Sequence, residues 1–400
     1  MTKPRVVIIG GSLSGLFCAN LFRTIGWDVD VFERSRSGLK GRGAGLGAQA
    51  GLFTVMERIG IRVDQSIWTE VRSHIGLDRR GRIICEVPVR ELSTAWDRIY
   101  GALRNEISGE RYHGGMTLER VEQNARYVLA VFADGSIAEA DLLVAADGMR
   151  STIRHQFMPE IEPRYCGYVA WRGVVEESQV TYSRRGIMLD RMAFYLPDDE
   201  LAFSVPMARA SGASCVRRCM FVWFRPAEYH STLKQCCTDS SGRFHGTSIP
   251  PPLIRSELID DLRQAACARL PPQLADLVVR VRDPILSPIF DLESPKLAFG
   301  RVALVGDAAF VARPHVGTGV TKAALDAQAL VDAVGSAGAD LPDALTVYER
   351  ARRPAGEQLV ERGRYLGSYV NGKKRPIEGL LREYGAGDIG DWPSNPSLRP

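Results

Sequence analysis

The sequence predicts an α/β fold in which a Rossmann-like dinucleotide-binding domain is interleaved with an antiparallel-sheet domain and followed by C-terminal helices. Three observations predict it. An apolar run opens into glycines between Arg5 and Gly15. Two later apolar runs, 142–146 and 302–305, each lead towards an aspartate. Strand-like runs, the first of them alternating, then follow one another between Tyr165 and Phe224. Strands buried on both faces read as continuous apolar runs, whereas antiparallel strands with one covered face alternate.

Val6-Val7-Ile8-Ile9 is a β-branched run. Gly10-Gly11-Ser12-Leu13-Ser14-Gly15 turns it into an amphipathic segment with apolar residues at Leu16, Phe17, Leu21, Phe22 and Ile25. Gly26 closes that helix, and the next strand, Trp27 to Phe32, ends at Glu33. Strand, glycine turn, helix, strand and acid in this order lay a pyrophosphate on a helix N-terminus and offer a carboxylate to a ribose. Gly10 permits the turn, and Gly15 lets the helix pack on the strand. Ser12 stands in the place of the middle glycine and brings a hydroxyl donor to the phosphates. Glu33 suits a free ribose 2′-hydroxyl and repels a 2′-phosphate. FAD and NAD fit equally at this point, and a βαβ unit without a ligand is the alternative.

Ser35 to Gly47 is rich in glycine and cations and reads as a loop able to approach a ligand closely. Arg42 is placed to reach a pyrophosphate, while Arg36 and Lys40 read equally as solvated charges. A helix over about 52–59 follows, then strand-like segments at 75–77 and 83–87, a helix over 96–107, and a hairpin at 128–137. The run from Asp141 ends at Asp147-Gly148, with Ser151 and Arg154 opening a helical turn. In a doubly wound sheet, ligands sit beyond the carboxyl ends of the strands, so an acid there points to function. From Tyr165 to Val175, Tyr168, Ala170 and Arg172 share one face, and Val169 and Trp171 the other. Similar runs lie at 192–196, 201–205 and 219–224. Short helices over 258–270 and 273–279 precede the third apolar run, Arg301 to Asp307. A loop through Pro314-His315 leads to Gly317-Thr318-Gly319, a helix over 320–334 and another over 341–369. The expected domains are 1–160 with 285–370 for the dinucleotide, 161–284 for the substrate, and a loose tail over 371–400.

The apolar fraction of 45% and charged fraction of 24% are ordinary for a globular chain. A net charge of +4, mixed in sign throughout, points neither to nucleic acid nor to an anionic membrane. No room for a signal peptide and no bilayer-spanning run are expected, so the location is expected to be cytoplasmic. The cysteines, at 18, 85, 166, 215, 219, 236, 237 and 267, make no CxxC pair. Cys236 and Cys237 with His230 and His245 match no standard zinc spacing, so no metal is expected.

Three motifs therefore stand in chain order: the first glycines with Glu33, then Asp147-Gly148, then Gly306-Asp307 with Pro314 and Gly317-Thr318-Gly319. Over about residues 4 to 335 they resemble the group A flavoprotein aromatic hydroxylases, single-component FAD monooxygenases of the para-hydroxybenzoate hydroxylase type. Glu110-Arg111-Tyr112-His113, Gly167-Tyr168-Val169-Ala170-Trp171-Arg172-Gly173-Val174 and Arg313-Pro314-His315 are similar to the 2,6-dihydroxypyridine 3-hydroxylase branch. The resemblance implies non-covalent FAD, with NADH or NADPH as a transient electron donor. It implies hydroxylation of a hydroxylated aromatic or N-heteroaromatic ring, such as a hydroxypyridine, by dioxygen through a C4a-hydroperoxyflavin. It further implies a cofactor-binding set: Gly10, Ser12, Leu13, Ser14 and Gly15 at the pyrophosphate, and Glu33 at the adenosine ribose. Arg34, Arg42, Gly45 and Leu46 extend that set along the loop. Asp147 would stand near the pyrophosphate and the nicotinamide path, Asp307 at the ribityl chain or pyrophosphate, and Pro314, Gly317, Thr318 and Gly319 beside the flavin. Two positions depart from the family's pattern: Trp96 where many relatives carry a flavin-contacting arginine, and Thr318 in place of a common glutamine. No second glycine fingerprint marks a lasting site for NAD(P)H.

The protein's part in such chemistry is to position the cofactor and keep water out. The helix N-terminus at Val320 offers backbone donors to charge on the flavin, a plain helix-entry turn being the alternative. Trp171, Phe194, Tyr195, Phe203, Phe221 and Trp223 are candidate walls of an apolar pocket, and Tyr168, Arg172 and Tyr195 candidate polar contacts to substrate. His315 is the candidate catalytic residue, as general base for a ring hydroxyl or as a direct contact. A histidine that shapes the pocket or holds the loop is the alternative. A flavin oxidase or dehydrogenase, or a non-hydroxylating tailoring protein of the same fold, is the competing function. The oligomeric state stays open, a homodimer being one alternative.

Overall fold

The computed structural model describes residues 3–36, 38–39, 45–64, 67–181, 186–208, 216–336 and 340–384. Lys40, Arg42 and Cys215 lie outside them. Among the described residues the strands form three sheets. The first is ordered β16 (Ala298–Phe299), β17 (Val302–Leu304), β10 (Leu142–Ala145), β1 (Arg5–Ile9), β2 (Asp28–Glu33) and β6 (Tyr112–Gly114). It is parallel from β17 to β6, and only β16 runs antiparallel. Helix α1 (Leu13–Thr24) packs on it with Leu16, Phe17, Leu21 and Phe22 buried. Helices α2 (Ala50–Arg58) and α3 (Trp96–Asn105) contribute to the same core, and the short α4 (Thr152–Phe157) follows β10.

Two glycines set how closely the three motifs approach. Gly10 has φ +109°, and a Cβ there would run into the carbonyl oxygen of Ala146. Gly306 has φ +59°, and a Cβ there would strike the Ser14 hydroxyl. The ends of β1, β10 and β17 and the start of α1 are thus drawn to one point.

The second sheet is ordered β18 (Phe310–Val311), β15 (Ile285–Glu293), β11 (Arg164–Glu176), β14 (Arg218–Pro226), β13 (Leu201–Met207), β12 (Arg191–Tyr195), β4 (Trp68–Leu77), β5 (Ile83–Ala95) and β3 (Gly45–Ala48). It is antiparallel except for β12 beside β4. One face, with Trp171, Phe221 and Trp223, is buried with residues of α5 (Ser256–Arg269) and α6 (Pro272–Arg280). The other, with Tyr168, Phe203 and Phe224, packs with Leu380 and Leu381. A small third sheet, β7 (Leu118–Gln123), β8 (Val128–Phe132) and β9 (Ile137–Ala140), holds the expected hairpin.

Two features differ from the sequence expectation. Residues 45–95, assigned to the first domain on chain order, supply β3, β4 and β5 to the antiparallel sheet. The segment expected to be a loose tail contains α9 (Ile377–Tyr384), whose Leu380 and Leu381 are fully buried. Its apolar face is too short to stand out between glycine- and proline-rich flanks, and burial against the sheet stabilises it.

The motif at Gly306-Asp307 is anchored by charge. On α7 (Gly319–Ser336), Lys322 Nζ donates to Gly306 O at 2.8 Å and to Asp326 Oδ2 at 2.7 Å. Arg352, on α8 (Leu341–Gly367), donates to Asp326 Oδ1 at 2.7 Å, and Gly306 N donates to Oδ2 at 3.1 Å. No helix of the described residues is long and apolar enough to cross a membrane.

Candidate active site

At the carboxyl edge of the parallel sheet lies a groove of about 270 Å3, lined among others by Gly10, Ser12, Glu33, Arg34, Trp96 and Asp147. Both Glu33 oxygens accept backbone N–H groups, Oε2 from Gly11 and Oε1 from Ser35, each at 2.9 Å. Glu33 therefore fastens the glycine turn as well as facing the groove. Asp147 Oδ2 accepts from Ile153 N at 3.4 Å, whereas its Oδ1 is buried without a partner among the described residues. Burial holds this carboxyl above its usual range, against hydrogen bonds from Ser151 and nearby backbone that lower it. Asp307 sits in a 3-10 turn, Gly306–Ala308, with its side chain exposed. It does not cap α7, which begins at Gly319. Trp96 stacks on Tyr100 with ring centroids 4.5 Å apart.

A second cavity, of about 530 Å3, opens between the antiparallel sheet and the Pro314–Thr318 turn. Gly45 and Leu46 on β3, and Pro314, Gly317 and Thr318 on the turn, lie on its walls. Thr318 Oγ1, Ser93 Oγ and Arg172 Nε are buried there without partners among the described residues. Buried polar atoms nearly always have partners, so orphans along the groove and the cavity mark places built to meet a ligand. The glycine cradle, the helix N-terminus of α1 and the orphaned Asp147 and Thr318 oxygens fit the pyrophosphate and ring of a flavin nucleotide. Leu13 is buried in the core, and the Ser14 hydroxyl faces Gly306, so both serve by packing and through the backbone.

Arg172 lines the cavity. Its Nη2 donates to Ser287 Oγ at 2.6 Å, and burial pulls its guanidinium below the usual value, with no carboxylate among the described residues to oppose it. His315 is 2% exposed. Its Nε2 lies 2.8 Å from the Tyr168 hydroxyl and its Nδ1 2.6 Å from that of Tyr384, and the ring stacks on Phe224. Burial, and then the charge of Arg313, pull its imidazole down to about 3. A histidine so held is neutral near pH 7 and is a poor proton acceptor.

The structure separates residues that the sequence grouped. Tyr168 stands behind His315 and not on the cavity wall. Tyr195, like Trp171, Phe221 and Trp223, belongs to the opposite face of the sheet, because side chains alternate along a strand. Of the expected aromatic walls, Phe203 lines the cavity, joined by Phe53 and Phe224. Gln49, Glu91, Ser93, Arg362 and Tyr384 also line it and were not singled out. Arg90-Glu91-Leu92-Ser93 reads in sequence like a solvated edge, since a polar residue facing a cavity looks the same as one facing water.

A family model described as FAD binding domain-like matches residues 165–291. The chain is 31% identical over 368 residues to 2,6-dihydroxypyridine 3-monooxygenase of Paenarthrobacter nicotinovorans, spanning 92% of this chain and 91% of that protein. It is 26% identical to 3-amino-4-hydroxybenzoate 2-monooxygenase of Streptomyces cremeus, across 90% of this chain and 86% of that one. The solved structure of 2,6-dihydroxypyridine-3-hydroxylase from Arthrobacter nicotinovorans superimposes with a TM-score of 0.88 at 29% identity, covering 95% of this chain and 96% of the other.

Proposed function

The chain belongs to the FAD-dependent aromatic-ring monooxygenases, and we propose that it hydroxylates an N-heteroaromatic ring of the hydroxypyridine kind, bound as an oxyanion against Arg172. FAD is its cofactor and NAD(P)H its electron donor, and bound FAD supplies the activation of dioxygen and transfer of one oxygen atom to the ring. The observation that carries the proposal is the Arg172 guanidinium, buried on the cavity wall with its Nε unpaired among the described residues. An uncompensated buried cation is costly, so an incoming ring oxyanion gains from Arg172 what a neutral ring cannot. Holding the oxyanion also keeps the ring electron-rich at the carbon to be attacked.

We assign the remaining roles as follows, supported by position. Gly10, Ser12, Gly15 and the N-terminus of α1 receive the pyrophosphate, and Glu33 the ribose. Asp147 Oδ1 and Asp307 receive hydroxyl or N–H donors further along the cofactor. Gly317, Thr318 and Gly319 present backbone donors to the flavin ring. His315 acts as a neutral link that fixes the Tyr384 hydroxyl on the cavity wall. The substrate domain takes in β3 to β5 together with residues 161–284.

The test is a panel of hydroxypyridines and hydroxybenzoates, scored by stimulated NAD(P)H oxidation and by the added oxygen atom in the product. Arg172→Met should retain FAD absorbance and raise KM for the hydroxypyridine about 10- to 100-fold, the range for losing a hydrogen bond to a charged group. An unchanged KM in that variant sinks the proposal.

A further inference from the structure

Glu91, on β5, forms part of the 530 Å3 cavity wall with its side chain 31% exposed, and His74, on β4, is fully buried behind it. His74 Nδ1 lies 3.1 Å from Leu381 O, which can only accept, so Nδ1 carries a hydrogen. The other nitrogen, Nε2, stands 3.2 Å from Glu91 Oε2 within hydrogen-bonding reach, so Oε2 is committed and the carboxyl group is held in place. Among the described residues no hydrogen bond reaches Oε1.

The cavity thus holds an acceptor at Glu91 and a cationic donor at Arg172, among Met192, Phe203, Val205 and Val222. The other charged or titratable groups around Glu91 are Arg90 beside it on the strand, Arg362 of α8, and Tyr384 of α9. Arg362 is near enough for the two charges to interact, and the Tyr384 hydroxyl is engaged by His315.

We propose that Glu91, positioned by His74, is the residue that selects a nitrogen ring over a carbon ring by accepting its N–H, while Arg172 takes the oxygen. The inference rests on the ring-hydroxylating reading above and deepens it by naming the substrate's recognised edge. A pyridone-type ring carries N–H next to C–O and matches this pair. A benzene ring with the same hydroxyls offers C–H at that place and leaves the carboxyl desolvated without a donor. Sites built around a polar substrate group reject the analogue lacking it far more strongly than sites that merely sense size.

The probes are 2,6-dihydroxypyridine and resorcinol, which share the hydroxyl pattern and differ at the ring nitrogen. Dissociation constants are read from perturbation of the flavin absorbance of the FAD-loaded full chain without NAD(P)H, and kcat/KM from turnover. The wild type should bind the pyridine about 100-fold more tightly. Glu91→Leu should bring the two within about threefold, weakening the pyridine and tightening resorcinol, which no longer desolvates a carboxyl. His74→Leu should narrow the preference about tenfold, and the double variant should lose no more than Glu91→Leu alone. Equal binding of both rings by the wild type, binding of neither, or parallel losses for both rings in Glu91→Leu would overturn the inference. A wild type that distinguishes the rings in binding but adds oxygen to neither supports the N–H reading and sinks the proposed reaction instead.

Discussion

The nucleotide groove and the ring cavity use opposite means of recognition. The groove lies where the short turns after β1, β2 and β10 meet, and Gly10 and Gly306 allow strands and helix to converge there. The cavity is walled by side chains from β5, β11, β13, β14 and α9, far apart in sequence, together with β3 and the Pro314–Thr318 turn. A cofactor common to a whole family suits recognition by backbone, which tolerates side-chain drift. A substrate that differs between relatives suits recognition by side chains that can be exchanged one at a time.

If this contrast is right, the groove should fail by misfolding and the cavity by losing selectivity. The largest effect is expected from Gly10→Ala. At φ +109° the new Cβ costs about 1–3 kcal/mol in backbone strain, and it also collides with Ala146 O. The variant should purify without flavin or not fold, measured as the flavin-to-protein absorbance ratio. Normal flavin content would break the comparison at its root.

Asp326→Asn comes next, because it leaves Lys322 buried and removes the charge that holds Gly306. Breaking such a pair costs about 3–5 kcal/mol and should lower Tm by several degrees. The pH dependence sharpens this. Burial pushes the Asp326 carboxyl up, but Lys322 and Arg352 outweigh it and leave it below the usual range. A depressed carboxyl contributes fully above its unfolded pKa of about 3.9 and loses its contribution as pH falls through the lower folded value. The Tm gap between wild type and variant should therefore be constant near neutrality and shrink only in strong acid.

The smallest effect is expected at His315. With its imidazole pulled down to about 3, it does not change charge between pH 5 and 8. His315→Gln should keep FAD and show an unaltered pH profile of kcat, with a modest fall in rate from the loosened Tyr384. Because the native imidazole resists a proton that the unfolded chain accepts, the wild type loses stability as pH falls from about 6.5 towards 3, and the variant should lose less. A shifted kcat profile would restore the general-base role.

The sequence by itself determined the dinucleotide-binding unit. The β1 run, the Gly10 turn, α1 and Glu33 interact with near neighbours, so their steric requirements are written in adjacent residues. The alternation that put Tyr168 and Arg172 on one face of β11 and Trp171 on the other was likewise local, and the strand obeys it. Tertiary structure alone decided which face became a cavity, and which remote strands joined it. β5 carries Glu91 and Ser93 to the wall because the sheet pairs β5 with both β3 and β4, and α9 brings Leu381 O to His74 across the chain. Those contacts depend on pairings between distant segments, and no local pattern distinguishes a carboxylate that faces water from one that faces a ring.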